Sequence, residues 1–515
     1  MRVPTTARAA RERISGLLLA QVGLVAALAA TGICASAFSL GLTDAVLPAS
    51  VLVSLVVAWN FYSWHLLGRE LFSPYGMFLL SASLFHGGQA GLEVLGLNPN
   101  GVLDGLFEPK LIVMALYMAA LGLAALHLGA IWAASKAPKN GPSQMDPHHE
   151  ERSRASCYVG WFCILLAAFP TALILRDVLS TVARSGYIGL YDPNRDSVVT
   201  STTRMLAANL MPGVMFLAVG SPKRRLVHLG LWSIVIGYSG SMILSGLRHE
   251  GAPLLISFAW LYHTRIRRLP RTAILSAGVA LLALFGIVSI TRWTGLSWLG
   301  SIAETRATSA VAESPIVTTL SEMGGTLATV AHTVDLVPSN RPFDYGVGYA
   351  YTLLCLMPRF GWDVHPSVTH GSYSDWMSRT VDPVSAAHGL GLGYSFIAEP
   401  FANFGWYGVV PLLAMIGYLL VRMSDWATQK NDPPRYAAVA SFLAFFLFFP
   451  RAESSYMIRP LVYFSLLPYT VVGILANTRK SHERRAGTAR IRGPRPASRA
   501  AYPATPAPET GRHAG

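Results

Sequence analysis

Apolar runs of 15 to 27 residues recur along this 515-residue chain, and no other feature restricts its fold so severely. A run of that length, coiled as an α-helix, matches the hydrocarbon thickness of a bilayer. Lipid offers no water to backbone N–H and C=O groups, so they must be satisfied within helices. Composition agrees. The chain is 52% hydrophobic and 13% charged, whereas an ordinary soluble domain carries about 25% charged residues. The expected fold class is all-α integral membrane: about 12 transmembrane helices with one long extracytoplasmic loop containing short helices.

The candidate spans fall at roughly 14–40, 45–67, 71–97, 109–134, 157–180, 204–220, 226–245, 250–264, 272–290, 395–421, 436–450 and 460–477. The positive-inside rule tests that count. With the N-terminal "RVPTTARAARER" cytoplasmic, every second connection should be basic. Those connections are "HLLGRE", "SKAPKN…ERSR", "SPKRR", "TRIRRLPR", "RMSDWATQKNDPPR" and the C-terminal tail, and all six carry Lys or Arg. The parity closes with both termini inside, as for a multi-pass protein of the cytoplasmic membrane. "CASAF" at Cys34 offers a signal-peptidase pattern, but the apolar run before it is longer than a usual signal segment, so an uncleaved anchor is expected.

Residues 1–478 thus read as one membrane domain whose long loop covers about 291–394. A structureless loop of that size is improbable. Patches such as "YGVGYAYTLLCLMPRFGW" predict short helices lying on or dipping into the outer leaflet. Residues 479–515 hold nine Lys/Arg and two Asp/Glu, half of the +14 net charge. That Arg-, Pro- and Ala-rich segment cannot bury a core and reads as a disordered cytoplasmic tail. The chain carries no aromatic-interleaved basic motif of a nucleic-acid module. Its four cysteines have no metal-ligand spacing, and three of them lie in apolar runs. No metal site and no cofactor is expected.

The informative residues interrupt the apolar pattern. In "GSMILSGLRHEGAPLLISFAWLYHTRIRRLP" the run stops at Arg248, His249 and Glu250. The thirteen residues from Ala252 to Thr264 would cover only about 20 Å of about 30 Å of hydrocarbon. The helix must therefore begin at or before Arg248, which sets all three groups at the outer interface. A charge at that depth needs a polar cavity or a partner. "FFLFFPRAESSYMIRPLVYF" repeats the pattern with Arg451, Glu453 and Arg459, and Arg292, Arg341 and Arg359 are also assigned outside. Pairing with Glu250 and Glu453 would make these arginines helix caps. As a group, they suit an anionic lipid headgroup such as a diphosphate, because the guanidinium fork fits phosphate oxygens. Glu399 lies 22 residues before Val421, so a continuous helix would lift it about 33 Å from the inner end. It reads either as a carboxylate at the positive end of a helix or as a base.

Three stretches resemble the membrane polymerases of O-antigen and related oligosaccharide repeat units. They are "SGLRHEGAPLL", "SEMGGTLATVAHTVDLVPSNRPFDYGVGYAYTLLCLMPR" and "GYSFIAEPFANFGWYG", within roughly residues 226–425. The resemblance implies an enzyme, a metal-independent glycosyltransferase. It would move a growing glycan from polyprenyl diphosphate to the next lipid-linked unit on the outer face of the membrane. Its partners would be polyprenyl-diphosphate-linked oligosaccharide, membrane lipids, a chain-length regulator and a flippase. Arg248, Arg359, Arg451 and Arg459, with Arg292 and Arg341, would hold the substrate, and Glu399, His249 or Glu250 would supply the base. An O-antigen ligase would share the architecture but use another acceptor. A lipid-linked oligosaccharide flippase or transporter would line a midplane path with charge instead.

Overall fold

In the computed structural model, residues 4–38, 45–136, 149–192, 195, 197–291, 314–357, 361–429 and 431–478 are described. The described residues are helical, with no strand. Four helices open the chain: α1 (Pro4–Phe38), α2 (Val46–Leu66), α3 (Pro74–Val94) and α4 (Pro109–Ser135). Then come α5 (His149–Ser185), α6 (Ser201–Ala207), α7 (Leu210–Gly220), α8 (Arg225–Leu244), α9 (Arg248–Leu261) and α10 (Arg271–Thr291). The described residues of the long connection form α11 (Pro315–Gly324), α12 (Leu327–Leu336), α13 (Val347–Leu354), α14 (Pro366–His370), α15 (Tyr373–Val381) and α16 (Pro383–Ala387). The described residues end with α17 (Ala398–Phe404), α18 (Trp406–Gln429), α19 (Pro433–Phe446) and α20 (Ser455–Thr478), and the expected tail at 479–515 lies outside them.

Among the described residues, ten segments are long and apolar enough to cross a membrane, α6 and α7 counting as one. Two of the expected spans, α3 and α9, fall below that apolarity. With 21 residues, α3 is about 32 Å long, but it carries His86, Gln89 and Glu93. Helix α9 starts at Arg248, as the length argument requires, and a π-helical turn at Tyr262–Ile266 extends it. With these two, the bundle has the expected number of about twelve.

Glycines set the closest crossings. A Cβ on Gly129 of α4 would lie 1.7 Å from the Ala414 carbonyl oxygen of α18, and one on Gly417 would lie 1.9 Å from that of Leu126. On Gly160 of α5 a Cβ would come within 2.4 Å of Leu217 N in α7. Small residues let backbones approach where lipid supplies no hydrophobic drive between helices. One apolar core gathers α1–α4, α12, α17 and α18, and a second gathers mainly α5, α7, α9, α19 and α20.

Four of the expected basic connections meet at one face. Arg69 after α2 binds Asp425 at 2.7 Å, and Arg152 in the first turn of α5 binds Asp432 at 2.9 Å. Arg265, at the end of α9, donates to Asn431. These contacts draw three basic connections around a fourth, the α18–α19 turn. The long connection packs at the other end of the bundle, called the loop face below.

One geometric expectation fails. Glu399 does not sit on a continuous helix running to Val421. Gly405, at φ +62°, ends α17, and α18 starts afresh at Trp406. A left-handed residue closes a helix, and glycine adopts that conformation without a Cβ penalty. Glu399 is therefore carried by a separate short helix on the loop face.

Candidate active site

The short helix α17 is fixed from below. Ser395 Oγ accepts hydrogen bonds from the N–H groups of Ile397 (3.1 Å) and Ala398 (3.3 Å), which caps its N-terminus. The Ser395 hydroxyl also meets His86 Nε2 at 2.7 Å, while His86 Nδ1 lies 3.2 Å from the Ala82 carbonyl. A carbonyl can only accept, so Nδ1 carries the proton and Nε2 receives the Ser395 hydrogen. A buried histidine in α3 thus sets the register of the helix that bears Glu399.

Glu399 is 3% exposed. Its two oxygens accept from Ser454 N–H at 2.9 Å and from Ser454 Oγ at 2.5 Å. The adjacent Glu453 is 2% exposed and accepts from Tyr373 N–H at 2.7 Å. Two carboxyl groups from distant parts of the chain therefore meet at the turn between α19 and α20. Both line a cavity of about 530 Å³, within the size range of ligand sites. Tyr351, Tyr373 and Tyr456 give it aromatic walls, and Asp375, His370 and Arg459 add polar groups. His370 stacks on Tyr351 at 4.3 Å and 11°. Arg459 is steadied by a 2.7 Å bond from Nε to the Cys355 carbonyl.

A brace stands behind the Tyr373 wall. The Tyr373 hydroxyl donates to Asp344 at 2.5 Å and accepts from Asn403 Nδ2 at 3.0 Å. Arg341 pairs with Asp344 at 2.9 Å, and its guanidinium lies 4.7 Å from the Tyr373 ring centre and 5.1 Å from that of Trp376. Arg341 thus supports the wall and does not itself line the cavity.

Burial dominates the electrostatics. It raises Glu399 to about 8, with the nearby Glu453 pushing the same way and the Ser454 donors opposing. It raises Glu453 to about 7 against donors that include Tyr373 N–H. Desolvation penalises the ionised form of a carboxyl group. Two acids titrating near neutrality in one cavity are suited to proton transfer.

A second group of charges lies on the same face. Gly246, at φ +88°, ends α8, with Leu247 N–H bonded to Met242 O, so α9 opens at once on Arg248, His249 and Glu250. Arg248 donates to Glu322 at 2.6 Å, to Ser289 Oγ at 2.7 Å and to the Phe285 carbonyl at 3.1 Å. Its carboxylate partner is therefore Glu322 of α11. Glu250 lies 3.9 Å from both Arg204 and His249. The charges of Arg204, Arg248, Glu250 and Arg451 all act on His249. Arg451, two residues before Glu453, also reaches the Leu392 carbonyl at 3.4 Å.

The named candidates therefore separate. Glu399 and Arg459 share the cavity, and Arg248, His249, Glu250 and Arg451 form the basic group beside α9. Arg292 and Arg359 lie outside the described residues. Sequence reasoning missed Arg204, His370, Asp375 and the tyrosines of the cavity. It treated Glu453 as an arginine's partner, whereas the described residues holding Glu453 are neutral donors. The doublet "ES" at Glu453–Ser454 was a readable signal, because a charged residue between two short spans needs a reason to be there. Among the described residues, no three His, Cys, Asp or Glu side chains are grouped as metal ligands.

A model of the family described as O-antigen polysaccharide polymerase Wzy matches residues 29–481 of the chain. No curated protein and no solved structure matches it.

Proposed function

This chain belongs to the O-antigen polysaccharide polymerase Wzy family, and from that premise we propose how its loop face joins lipid-linked repeat units. The growing glycan on polyprenyl diphosphate is the donor, and the next lipid-linked unit is the acceptor. An acceptor hydroxyl oxygen attacks the anomeric carbon of the donor. The new C–O bond forms as the bond from that carbon to the diphosphate oxygen breaks. The diphosphate leaves with the electron pair, and the hydroxyl proton passes to a carboxylate.

Glu399 is the base in this scheme, and Glu453 is its neighbour. The supporting observation is that both buried acids open on a cavity with aromatic walls, where sugar rings can lie against tyrosine faces. Negative charge grows on the leaving diphosphate, and preorganised cations stabilise such charge in the transition state. Arg451 and Arg248, with His249 and Glu250 beside them, supply the headgroup site, and Arg459 serves the cavity. No metal is required, since the guanidinium groups carry the counter-charge. The loop face then lies outside the cytoplasmic membrane with both termini inside, a reading supported by the clustering of the basic connections at the opposite face. A flippase would deliver the substrate, and a chain-length regulator would act on the product.

Deleting the gene tests the reading. Cells should lose long-chain polysaccharide while still exporting single repeat units. Persisting long chains would remove the assignment. Units trapped on the cytoplasmic side would indicate a flippase, and long chains left on the carrier lipid would indicate a ligase.

A further inference from the structure

The face opposite the active site carries a second cavity, of about 470 Å³, between α5, α7 and the start of α8. Arg154 and Arg224 stand at its rim, and Cys157, Tyr158 and Trp161 form its wall. We propose that this groove holds an anionic phospholipid of the surrounding bilayer, with the phosphate between Arg154 and Arg224 and the acyl chains along α5.

Three observations converge on that occupant. The first is shape. Helices α5 and α7 meet so closely that a Cβ on Gly220 would lie 2.4 Å from Cys157 N. The crossing closes the inner wall of the groove and leaves it open outward. The second is charge. Among the described residues, the Arg224 guanidinium has no acidic partner, and Lys223 and Arg225 flank it in the sequence. Arg154 pairs with Glu150 at 2.6 Å, but both side chains are more than half exposed, so the pair is worth little and can yield to a phosphate. Helix α8 begins at Arg225, and its first N–H groups add positive potential at the same point. The third is the surface below. Tyr158, Trp161, Phe162, Leu165 and Phe169 present an exposed apolar stripe running along α5 away from the arginines. A basic rim above an apolar track complements a phospholipid, whereas a soluble anion would use only the rim.

The groove is on the other face from Glu399, so the proposal does not depend on the polymerase reading. Cys157 in the wall allows a test on unaltered protein. Full-length protein is placed in phosphatidylcholine nanodiscs, with or without phosphatidylglycerol, and alkylated with a maleimide. Labelling at Cys157 is followed by peptide mass spectrometry. Phosphatidylglycerol should slow labelling of Cys157. Inorganic phosphate in phosphatidylcholine nanodiscs should give no protection. In Arg154→Ala/Arg224→Ala, retained phosphatidylglycerol in native mass spectra should fall, about fivefold for each arginine near a membrane surface. Retained phosphatidylcholine should not change. Equal labelling of Cys157 in both nanodiscs would overturn the proposal, as would equal retention of phosphatidylglycerol by the variant. Protection by inorganic phosphate alone would reassign the groove to a soluble anion.

Discussion

Buried acids occur at both ends of this bundle, and they are held in opposite ways. At the face with the basic connections, Asp432 is 1% exposed and sits between Arg152 at 2.9 Å and Arg435 at 3.3 Å. Asp425 there binds Arg69 at 2.7 Å. At the loop face, Glu399 and Glu453 are as deeply buried, but their described donors are serine and backbone groups. A carboxylate between guanidinium groups ties helices together. One held by neutral donors pays for desolvation and moves toward its protonated form. The first arrangement joins connections, and the second stores a group that can exchange a proton.

The comparison breaks most sharply at Glu399. Glu399→Gln keeps size and hydrogen bonding, so the protein should insert at wild-type level. Losing a general base typically costs about 10²–10⁴ in rate, and cells carrying it should make single units only. Wild-type chain lengths on a silver-stained gel would return Glu399 to a structural role. His249 or Glu250 would then be the candidate base.

Asp432 should behave in the reverse manner. Asp432→Ala removes the carboxylate that Arg152 and Arg435 share, and breaking a buried pair typically costs about 3–5 kcal/mol. The variant should be lost from the membrane fraction, and whatever folds should polymerise normally. Stable, well-folded Asp432→Ala with no polymer would erase the distinction between the two faces.

The acidity of the loop-face pair provides the next test. Burial pushes Glu399 up to about 8 and Glu453 up to about 7. A base works only when ionised, so polymerisation by purified protein should rise up to about tenfold per pH unit below about pH 8, then level off. A general acid would give the opposite slope. Stability carries its own sign. The folded protein binds these protons more tightly than the unfolded chain does. Their contribution therefore falls as pH rises from the ordinary carboxyl range near 4.5 toward 8. In Glu399→Gln the part of that fall due to Glu399 should disappear from thermal unfolding curves.

How much of this was legible beforehand depended on the range of the interaction. The helices followed from apolar run length, and the meeting of four basic connections at one face followed from Lys and Arg in alternate connections. The start of α9 at Arg248 followed from counting residues against bilayer thickness. The break at Gly405 was less visible, because the sequence permits a glycine to pack closely as readily as to end a helix. The cavity was not legible. Its walls come from α13, α14, α15, α17 and α20, and no local pattern tells Tyr351 or His370 that the other will stack against it. Glu453 and Glu399 meet only through tertiary packing, across more than fifty positions of sequence.

Arg248 is the case between the two arrangements, and the expected effect there is the smallest. Its guanidinium binds Glu322 as the arginines of the opposite face bind their aspartates, yet it stands in the basic group of the loop face. The pair is only partly buried, at 14% and 29% exposure, so Glu322→Gln should cost about 1 kcal/mol of stability. If Glu322 holds the fork ready for a diphosphate, removing its charge leaves Arg248 more attractive to that anion. KM for the lipid-linked donor should then fall, while Arg248→Lys, which keeps the charge but loses the fork, should raise it. If the pair only fastens α9 to α11, both variants should lower the melting temperature and leave KM unchanged. Unchanged KM in both would place Arg248 with Asp432, as part of the scaffold, and would leave Arg451 to hold the headgroup.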